Sequence, residues 1–131
     1  MERILVVDDE AGITTVINAA LTRQHYTVIT ARNGRDALEK LSLGPVDLVI
    51  TDMIMPDFDG LHLIPEIHRL LPRVRIIAMS AGGDRFSSDT YLKEAKRLGA
   101  AHLLAKPFLI NELVALVKKT LTEGQYDPVD I

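Results

Sequence analysis

The sequence lacks several features that define whole classes of proteins. It has no cysteine, which excludes a disulfide framework and a thiolate metal site. No apolar run approaches the roughly 18 to 20 residues of a membrane helix, and the apolar stretch before Asp8 is too short for the core of a signal peptide. The net charge of -3 gives no basic surface for nucleic acid, and no Walker loop is present for a nucleotide. We therefore expect a cytoplasmic protein whose partners include neither a membrane nor nucleic acid.

The composition that remains is that of an ordinary globular protein. Apolar residues make up 47% of the 131 positions and charged residues 25%, without low-complexity blocks or internal repeats. This length suits one domain with a sizeable core and is too short for a separate output module beside it. We expect the folded domain to span residues 1–122 and residues 123–131 to form a disordered, acidic C-terminal tail.

Short apolar runs alternate with segments of helical periodicity along the chain. The runs are typical of strands buried in a parallel sheet, and they cover residues 4–7, 26–30, 46–51, 74–79 and 101–105. Each run is followed by a segment in which apolar residues recur at helical spacing. Pro65 lies inside the third helical segment, so we expect that helix to start late or to kink. These alternations predict an α/β fold with a doubly wound, five-stranded parallel sheet.

Four of the five predicted strands end in polar or charged residues. The first ends at Asp8 and Asp9, the third at Asp52, the fourth at Ser80 and the fifth at Lys106. Because parallel strands point the same way, these side chains come from distant parts of the chain to the sheet edge where α/β proteins bind ligands. Asp52 alone could simply begin a loop. The convergence of four strand ends is harder to explain in that way.

The converging groups have the chemistry of a phosphoryl-transfer site. Close carboxylates need a compensating cation, because like charges in one site raise each other's pKa. Oxygen ligands favour Mg²⁺, which accepts one or two carboxylates, keeps several waters and bridges to phosphate oxygens. Lys106 adds a positive charge, and Ser80 adds a hydroxyl that can donate to an anionic oxygen. In such a site Asp52 can act as a nucleophile and form an aspartyl phosphate.

The same residues carry a resemblance to a known family. Along nearly its whole length the chain resembles the receiver domains of two-component response regulators, which have the flavodoxin-like (βα)5 fold of the chemotaxis receivers. The matching motifs are Val6-Val7-Asp8-Asp9-Glu10, Asp52-Met53-Ile54-Met55-Pro56 with Asp59-Gly60, Met79-Ser80-Ala81, Gly99-Ala100 and Lys106-Pro107-Phe108. Each motif alone is weak, but together they are specific. The resemblance implies the strand order 2-1-3-4-5.

The resemblance implies that Asp52 accepts the phosphoryl group and helps to bind Mg²⁺. Asp9 would bind the ion directly, Asp8 would do so largely through water, and the main-chain carbonyl of Ile54 would complete the protein ligands. Such a protein is a phosphoacceptor that promotes its own phosphorylation and dephosphorylation, and it is not an enzyme acting on a separate substrate.

The resemblance also implies how the phosphoryl group arrives and is sensed. A sensor histidine kinase or a phosphotransfer protein of a phosphorelay would donate it. Ser80 would contact the group and relay its presence, Lys106 would pair with it, and the Lys106-Pro107 bond would be cis. Phosphorylation would shift the population between two packings of the face built from the fourth helix, fifth strand and fifth helix, which would bind a downstream target protein. Since no output module is expected, this would be a stand-alone response regulator.

Three positions depart from the pattern of the family. Three residues before the lysine that ends the fifth strand, where many members have an aromatic switch residue, this chain has Leu103. A ring-flip switch is therefore not expected. The positions two residues after Asp52 and two after Ser80, where members often place polar groups that orient the hydrolytic water, hold Ile54 and Gly82. We therefore expect a long-lived phosphoryl group. The loop that contains Gly82 is a few residues longer than usual and could be a recognition loop or a mobile insertion.

Three other interpretations remain open. A phosphatase of the haloacid-dehalogenase type also attacks with an Asp at the end of a parallel strand, but it needs a second acid two residues later, where this chain has Ile54. A degenerate receiver would keep the fold without being phosphorylated, although every matched position here is filled. A phosphate-independent interaction module would use the same helix-strand-helix face.

The charged and ring-bearing residues outside these motifs indicate no second site. Arg69, Arg73 and Arg75 are typical of a solvated basic face. The histidines share no metal-ligand spacing and lie on different predicted elements, at His25, His62, His68 and His102.

Overall fold

Five strands and five helices alternate along the chain. The computed structural model describes residues 1–55, 60–81 and 88–126. The strands are β1 (Arg3–Val7), β2 (Thr27–Ala31), β3 (Leu48–Asp52), β4 (Arg75–Ala81) and β5 (His102–Lys106). The helices are α1 (Ala11–Arg23), α2 (Gly34–Ser42), α3 (Gly60–Leu70), α4 (Ser88–Leu98) and α5 (Ile110–Thr122). In the part of the chain described, none of the helices has both the length and the apolar character needed to span a membrane.

The strands form one parallel sheet in the order β2-β1-β3-β4-β5, so the predicted fold and strand order are confirmed. All residues of the central strand β3 are buried, which is why its sequence is an almost unbroken apolar run. We call the edge where the strands end the carboxyl edge and the edge where they begin the amino edge. The parallel arrangement brings Asp52 and Lys106, the last residues of β3 and β5, to the carboxyl edge.

Helices cover both faces of the sheet and create two hydrophobic cores. On one face α1 and α5 contribute Ile17, Leu21, Leu113 and Val117. On the other face α2, α3 and α4 contribute Ala37, Leu41, Leu63, Ile64, Ile67 and Ala95. Each fully buried Leu or Ile stabilises the fold by roughly 1.5 to 3 kcal/mol relative to an exposed one. Packing of the apolar helix faces therefore contributes more to the stability of the fold than the hydrogen bonds at the helix ends do.

Some helix ends still carry strong local signals. The Oδ1 atom of Asn33 accepts a hydrogen bond from the N–H of Asp36 at 2.8 Å and caps α2. Gly99 follows α4 with a φ of +114°, a conformation that favours glycine. A Cβ atom at Gly99 would lie 2.5 Å from Cε1 of His68, so no side chain fits there.

Pro65 was expected to make the third helix start late or kink; the late start is not observed, and the kink stays a prediction. α3 begins at Gly60 and continues through Pro65. Leu63, Ile64 and Ile67 are fully buried on the sheet side of α3, whereas Pro65 is exposed. Burial of these three side chains outweighs the backbone hydrogen bond that proline cannot make. The remaining boundaries differ from the predicted ones by a few residues at most, the usual uncertainty at element ends.

One arginine that the sequence assigned to a solvated face is half-buried. The Nη1 atom of Arg75 donates to the carbonyl oxygens of Thr120, Leu121 and Glu123 at 3.3, 3.0 and 2.9 Å. Arg75 begins β4, so its side chain lies at the amino edge, where α5 ends. The solvated-face interpretation was therefore wrong for Arg75, which binds the end of a helix.

Two predictions fall partly on residues outside the described ranges. The loop predicted to be longer than usual includes Gly82 and residues 83–87, which are not described. Of the predicted tail, residues 127–131 are not described, so its disorder and the domain boundary at 122 stay predictions.

Candidate functional site

The carboxyl edge holds a buried cluster of charged side chains. The Nζ atom of Lys106 lies 2.7 Å from Oδ2 of Asp8 and 3.3 Å from Oδ2 of Asp52. Asp8 is 1% exposed and Asp52 is 5% exposed, so the charges interact with little screening by water. For these three residues the predicted convergence of strand ends is confirmed.

Strand register explains how residues so distant in sequence meet. The pairing of β1 with β3 brings Asp8, just after β1, beside Asp52 at the end of β3. Lys106 belongs to β5, two strands away from β3, and its long side chain reaches across β4. Side chains alternate between the two faces of a sheet along each strand. Asp52 therefore shares a face with Ile50, and Lys106 with Leu104. This is the face that α1 and α5 cover.

Backbone N–H groups hold the two buried carboxylates in place. The Oδ1 atom of Asp8 accepts a hydrogen bond from the N–H of Glu10 at 2.9 Å. The Oδ1 atom of Asp52 accepts one from the N–H of Ile54 at 3.3 Å. Each carboxylate thus uses one oxygen to bind its own loop and turns the other to Lys106, which fixes the geometry of the cluster before any ligand binds.

Burial and charge change the acidity of the cluster. Burial raises the pKa of Asp52; Lys106 opposes this rise, and the charge of Asp8 adds to it. Burial alone would lower the pKa of Lys106. The hydrogen bond to Asp8 and the charges of Asp52 and Asp8 have the opposite effect and are stronger, so the pKa of Lys106 is raised. Lys106 therefore stays protonated, while the carboxylates around it carry more negative charge than it neutralises.

Three carboxylates at this edge are placed to share one metal ion. One oxygen each from Asp8, Asp9 and Asp52 lies within 4.8 Å of the other two, and no other group with this arrangement occurs among the described residues. Oxygens on opposite sides of an octahedral Mg²⁺ are about 4.2 Å apart, so a small movement would close the group around the ion. The donors are all oxygens and their charge exceeds that of Lys106. These residues therefore fit a hard divalent cation such as Mg²⁺.

Ser80 lies beside the cluster without joining it. It follows Met79, which pairs with Asp52 across the β3–β4 ladder. Ser80 is in phase with Ile76 and Ala78, so its side chain is on the face covered by α2, α3 and α4. The contacts that hold the cluster together in the described part of the chain do not include the Ser80 hydroxyl.

Comparison with known proteins agrees with this geometry. Residues 4–118 match the family model of the response regulator receiver domain, which is most of the chain. This chain belongs to the receiver domain family. Receiver domains are phosphoacceptors rather than enzymes that turn over a separate substrate.

Individual relatives differ in how much of their length this receiver domain covers. It is 36% identical over 120 residues to sporulation initiation phosphotransferase F of Bacillus subtilis, an alignment of 92% of this chain and 94% of that protein. It is 43% identical over 121 residues to the DNA-binding transcriptional regulator NtrC of Azospirillum brasilense, covering 92% of this chain but 24% of NtrC. The chain thus spans about a quarter of the NtrC proteins that it matches.

A solved structure of similar sequence contains a bound metal complex. It is the response regulator TrrA of Thermotoga maritima in complex with Mg²⁺-BeF, which is 36% identical to this receiver domain with a TM-score of 0.78. The match covers 92% of this chain and 99% of TrrA.

The structure locates two of the three positions at which this receiver domain departs from the family pattern. Ile54 is 44% exposed just after β3, so an apolar side chain lies near Asp52 at the end of that strand. Leu103 lies in β5, half-buried against the core under α2, α3 and α4. Gly82 is outside the described residues, so slow hydrolysis stays a prediction. The Lys106-Pro107 bond is cis, as the resemblance implied.

Glu10 belongs to this site, although the sequence reasoning gave it no role. Its N–H binds Asp8, and its Oε1 atom lies 3.8 Å from Nζ of Lys106. The only signal in the sequence was its place directly after the acid pair. That position does not reveal that the chain turns back towards Lys106.

Proposed function

We propose that this receiver domain accepts a phosphoryl group on Asp52 from a phosphohistidine of a sensor histidine kinase or phosphotransfer protein. The observation that carries the proposal is the setting of Asp52: its carboxylate is buried at the end of the central strand, 3.3 Å from Lys106 and grouped with Asp8 and Asp9. The match to sporulation initiation phosphotransferase F of Bacillus subtilis covers 94% of that protein. This supports a role as a phosphorelay intermediate.

The transfer is a displacement at phosphorus. An oxygen of Asp52 would form a bond to phosphorus while the bond between phosphorus and the donor nitrogen breaks, and the electron pair of that bond would stay on the donor imidazole. The product is an acyl phosphate on Asp52. Lys106 already lies between Asp8 and Asp52, so its charge would stabilise the phosphoryl oxygens without a large rearrangement.

Asp8, Asp9 and Asp52, with the main-chain carbonyl of Ile54, would hold Mg²⁺. When bound, the ion supplies positive charge next to the phosphoryl oxygens and offsets the excess of carboxylates. We propose that Asp9 binds directly and Asp8 through water. This division is supported by the contacts of Asp8, whose two oxygens already bind Lys106 and the N–H of Glu10, whereas Asp9 is exposed. The solved structure of TrrA, 36% identical to this chain and in complex with Mg²⁺-BeF, supports Mg²⁺ binding.

The output would leave through the face formed by α4, β5 and α5. Ser80 would turn towards the phosphoryl group and draw the end of β4 with it. Because β4 pairs with β5 up to Lys106, this movement would change the packing of that face and its contact with a downstream protein. Leu103 has no ring to flip, so the shift would depend on the backbone of β4 and the loop that follows.

Intact-mass measurement after incubation with Mg²⁺ and acetyl phosphate tests the proposal. We expect a gain of one phosphoryl group that is absent in Asp52→Asn and after removal of Mg²⁺ with EDTA. The same change at an exposed acid of the amino edge, Asp47→Asn, should leave the gain intact. A wild-type protein without the gain, or a gain that persists in Asp52→Asn, would contradict it.

The same variant separates a receiver domain from a phosphate-independent interaction module. In a receiver, Asp52→Asn should remove the effect of acetyl phosphate on binding of a partner. In an interaction module, binding would be the same with and without acetyl phosphate in both proteins. Retained binding that no longer responds to acetyl phosphate therefore favours the receiver.

A further inference from the structure

The segment that follows α5 folds back beneath the amino edge of the sheet. α5 ends at Thr122, and Glu123 has an extended ψ of 163°. The Oε1 atom of Glu123 lies 2.9 Å from Nε2 of His102, the first residue of β5. The carbonyl oxygen of Glu123 accepts a hydrogen bond from Nη1 of Arg75, the first residue of β4. The chain is therefore bound to two strands as soon as it leaves the helix.

Tyr126 continues this attachment to α3. Its N–H donates to the carbonyl oxygen of Arg73 at 3.1 Å, in the turn between α3 and β4. Its ring stacks on the ring of His68, with centroids 4.3 Å apart and an interplanar angle of 12°. The Nε2 atom of His68 in turn contacts the carbonyl oxygen of Val74 at 3.0 Å, which holds the imidazole in place.

The ring pair also packs against the end of α4. A Cβ atom built on Gly99, which follows α4, would lie 3.2 Å from Cζ of Tyr126 and 2.5 Å from Cε1 of His68. Gly99 is thus the residue over which the two rings close. Residues 123–126 therefore touch the ends of three elements, α4, β5 and α5, together with α3 and β4.

We propose that residues 123–126 form a strap that ties the end of α5 to α3 and holds the amino-edge ends of α4, β4 and β5 together. The strap lies at the edge opposite Asp52 and uses none of the residues assigned to phosphoryl transfer. It extends the folded unit beyond the predicted boundary at 122 and directs the chain that leaves α5 towards α3. Whether Asp52 is phosphorylated does not affect this inference, so the two proposals can fail independently.

NMR spectroscopy of the full chain tests the strap. In the wild type we expect nuclear Overhauser contacts between the ring protons of Tyr126 and His68, and His68 ring resonances shifted upfield by the tyrosine ring current. Tyr126→Ala should abolish the upfield shift. It should also speed amide exchange at Gly99 and Ala100 roughly threefold to tenfold, as expected for loss of one aromatic pair.

Two variants control for general effects of substitution. Tyr126→Phe keeps the ring and should retain the upfield shift and the slow exchange, while Gln125→Ala changes an exposed neighbour and should have no effect. Absence of the ring contacts in the wild type would overturn the proposal. So would a Tyr126→Ala protein whose His68 resonances and Gly99 exchange match those of the wild type.

Discussion

Each edge of the sheet places a cation among oxygen atoms, but the oxygens differ in kind. At the carboxyl edge, Nζ of Lys106 lies between the carboxylates of Asp8 and Asp52. At the amino edge, Nη1 of Arg75 lies among main-chain carbonyls at the end of α5. Carboxylates carry full negative charges, whereas carbonyls are neutral dipoles that only together form the negative end of a helix.

This difference separates a ligand site from a structural contact. Asp8, Asp9 and Asp52 outnumber Lys106, the cation that contacts Asp8 and Asp52, so the cluster has an excess of negative charge that a further cation would offset. Around Arg75 the cation meets the partial charge of the α5 terminus, and the contact needs no ligand. The carboxyl-edge cluster thus has a charge excess that a ligand can offset, whereas the hydrogen bonds of Arg75 are made within the chain.

The chemistry of the two side chains suits these roles. Lysine presents a compact point charge that can pair with an arriving phosphoryl group, while arginine presents a planar fork with several donors. Three carbonyl oxygens, those of Thr120, Leu121 and Glu123, share one nitrogen of Arg75, and a second nitrogen lies 3.5 Å from the carbonyl oxygen of Asp47. The single ammonium nitrogen of a lysine could not reach all of these acceptors at once.

The largest expected effect is that of removing the cation at the carboxyl edge. Lys106→Met keeps most of the length of the side chain but removes the charge that would stabilise the phosphoryl oxygens. We expect the rate of labelling by acetyl phosphate and Mg²⁺ to fall about 100-fold, as is typical for loss of one electrostatic group in an active site. Intact-mass spectra over time measure the rate.

The matched control for this prediction is Lys118→Met, which changes an exposed lysine of α5 and should leave labelling unchanged. If Lys106→Met were labelled as fast as the wild type, the position of Lys106 between Asp8 and Asp52 would be structural. The two edges would then be alike, and the distinction drawn between them would fail.

Removing the cation at the amino edge should give the opposite result. Arg75→Met should lower the free energy of unfolding by about 2 kcal/mol, because it removes hydrogen bonds from a charged donor at a half-buried site. Labelling of Asp52 should stay at the wild-type rate. Urea unfolding gives the first value and mass spectrometry the second, with the exposed Arg73→Met as control. Stability equal to that of the control would show that Arg75 does not anchor α5.

The two edges also differ in how well the sequence predicted them. Asp8, Asp52 and Lys106 were predicted because each comes directly after or at the end of an apolar strand, and parallel strands must end at one edge. Arg75 was misassigned because it lies close in sequence to Arg69 and Arg73, and nothing in the pattern of these arginines shows which of them is half-buried. Its partners are carbonyls of α5, which carry no sequence information at all.

Three other features show what the sequence pattern alone does not determine. The sequence placed Ser80 at the right edge, but both faces of β4 are apolar and buried, so the sequence does not show which face Ser80 shares. Pro65 predicted a late start or a kink in α3; the late start is not observed, because burial of Leu63, Ile64 and Ile67 outweighs the hydrogen bond that proline cannot make. The stack of Tyr126 on His68 joins two residues that share no pattern, so only the folded chain reveals it.

The smallest expected effect concerns His68, a titratable residue at the amino edge. Burial lowers the pKa of His68. The hydrogen bonds to the carbonyl oxygens of Val74 and Leu98 act in the opposite direction but are weaker. In the unfolded chain the pKa is about 6.5, so the unfolded state binds a proton more readily than the folded state. The free energy of unfolding should therefore be constant above that pH and decrease as the pH falls towards the lower pKa of the folded state.

His68→Phe should remove this contribution while keeping a ring for Tyr126 to stack on. We expect stability, measured by urea unfolding at about pH 7.5 and about pH 5.5, to fall less in the variant than in the wild type. All other histidines are the same in both proteins, so the difference isolates His68. An equal fall in the two proteins would mean that His68 titrates as it does in water, and the amino edge would then lack the burial on which its structural role depends.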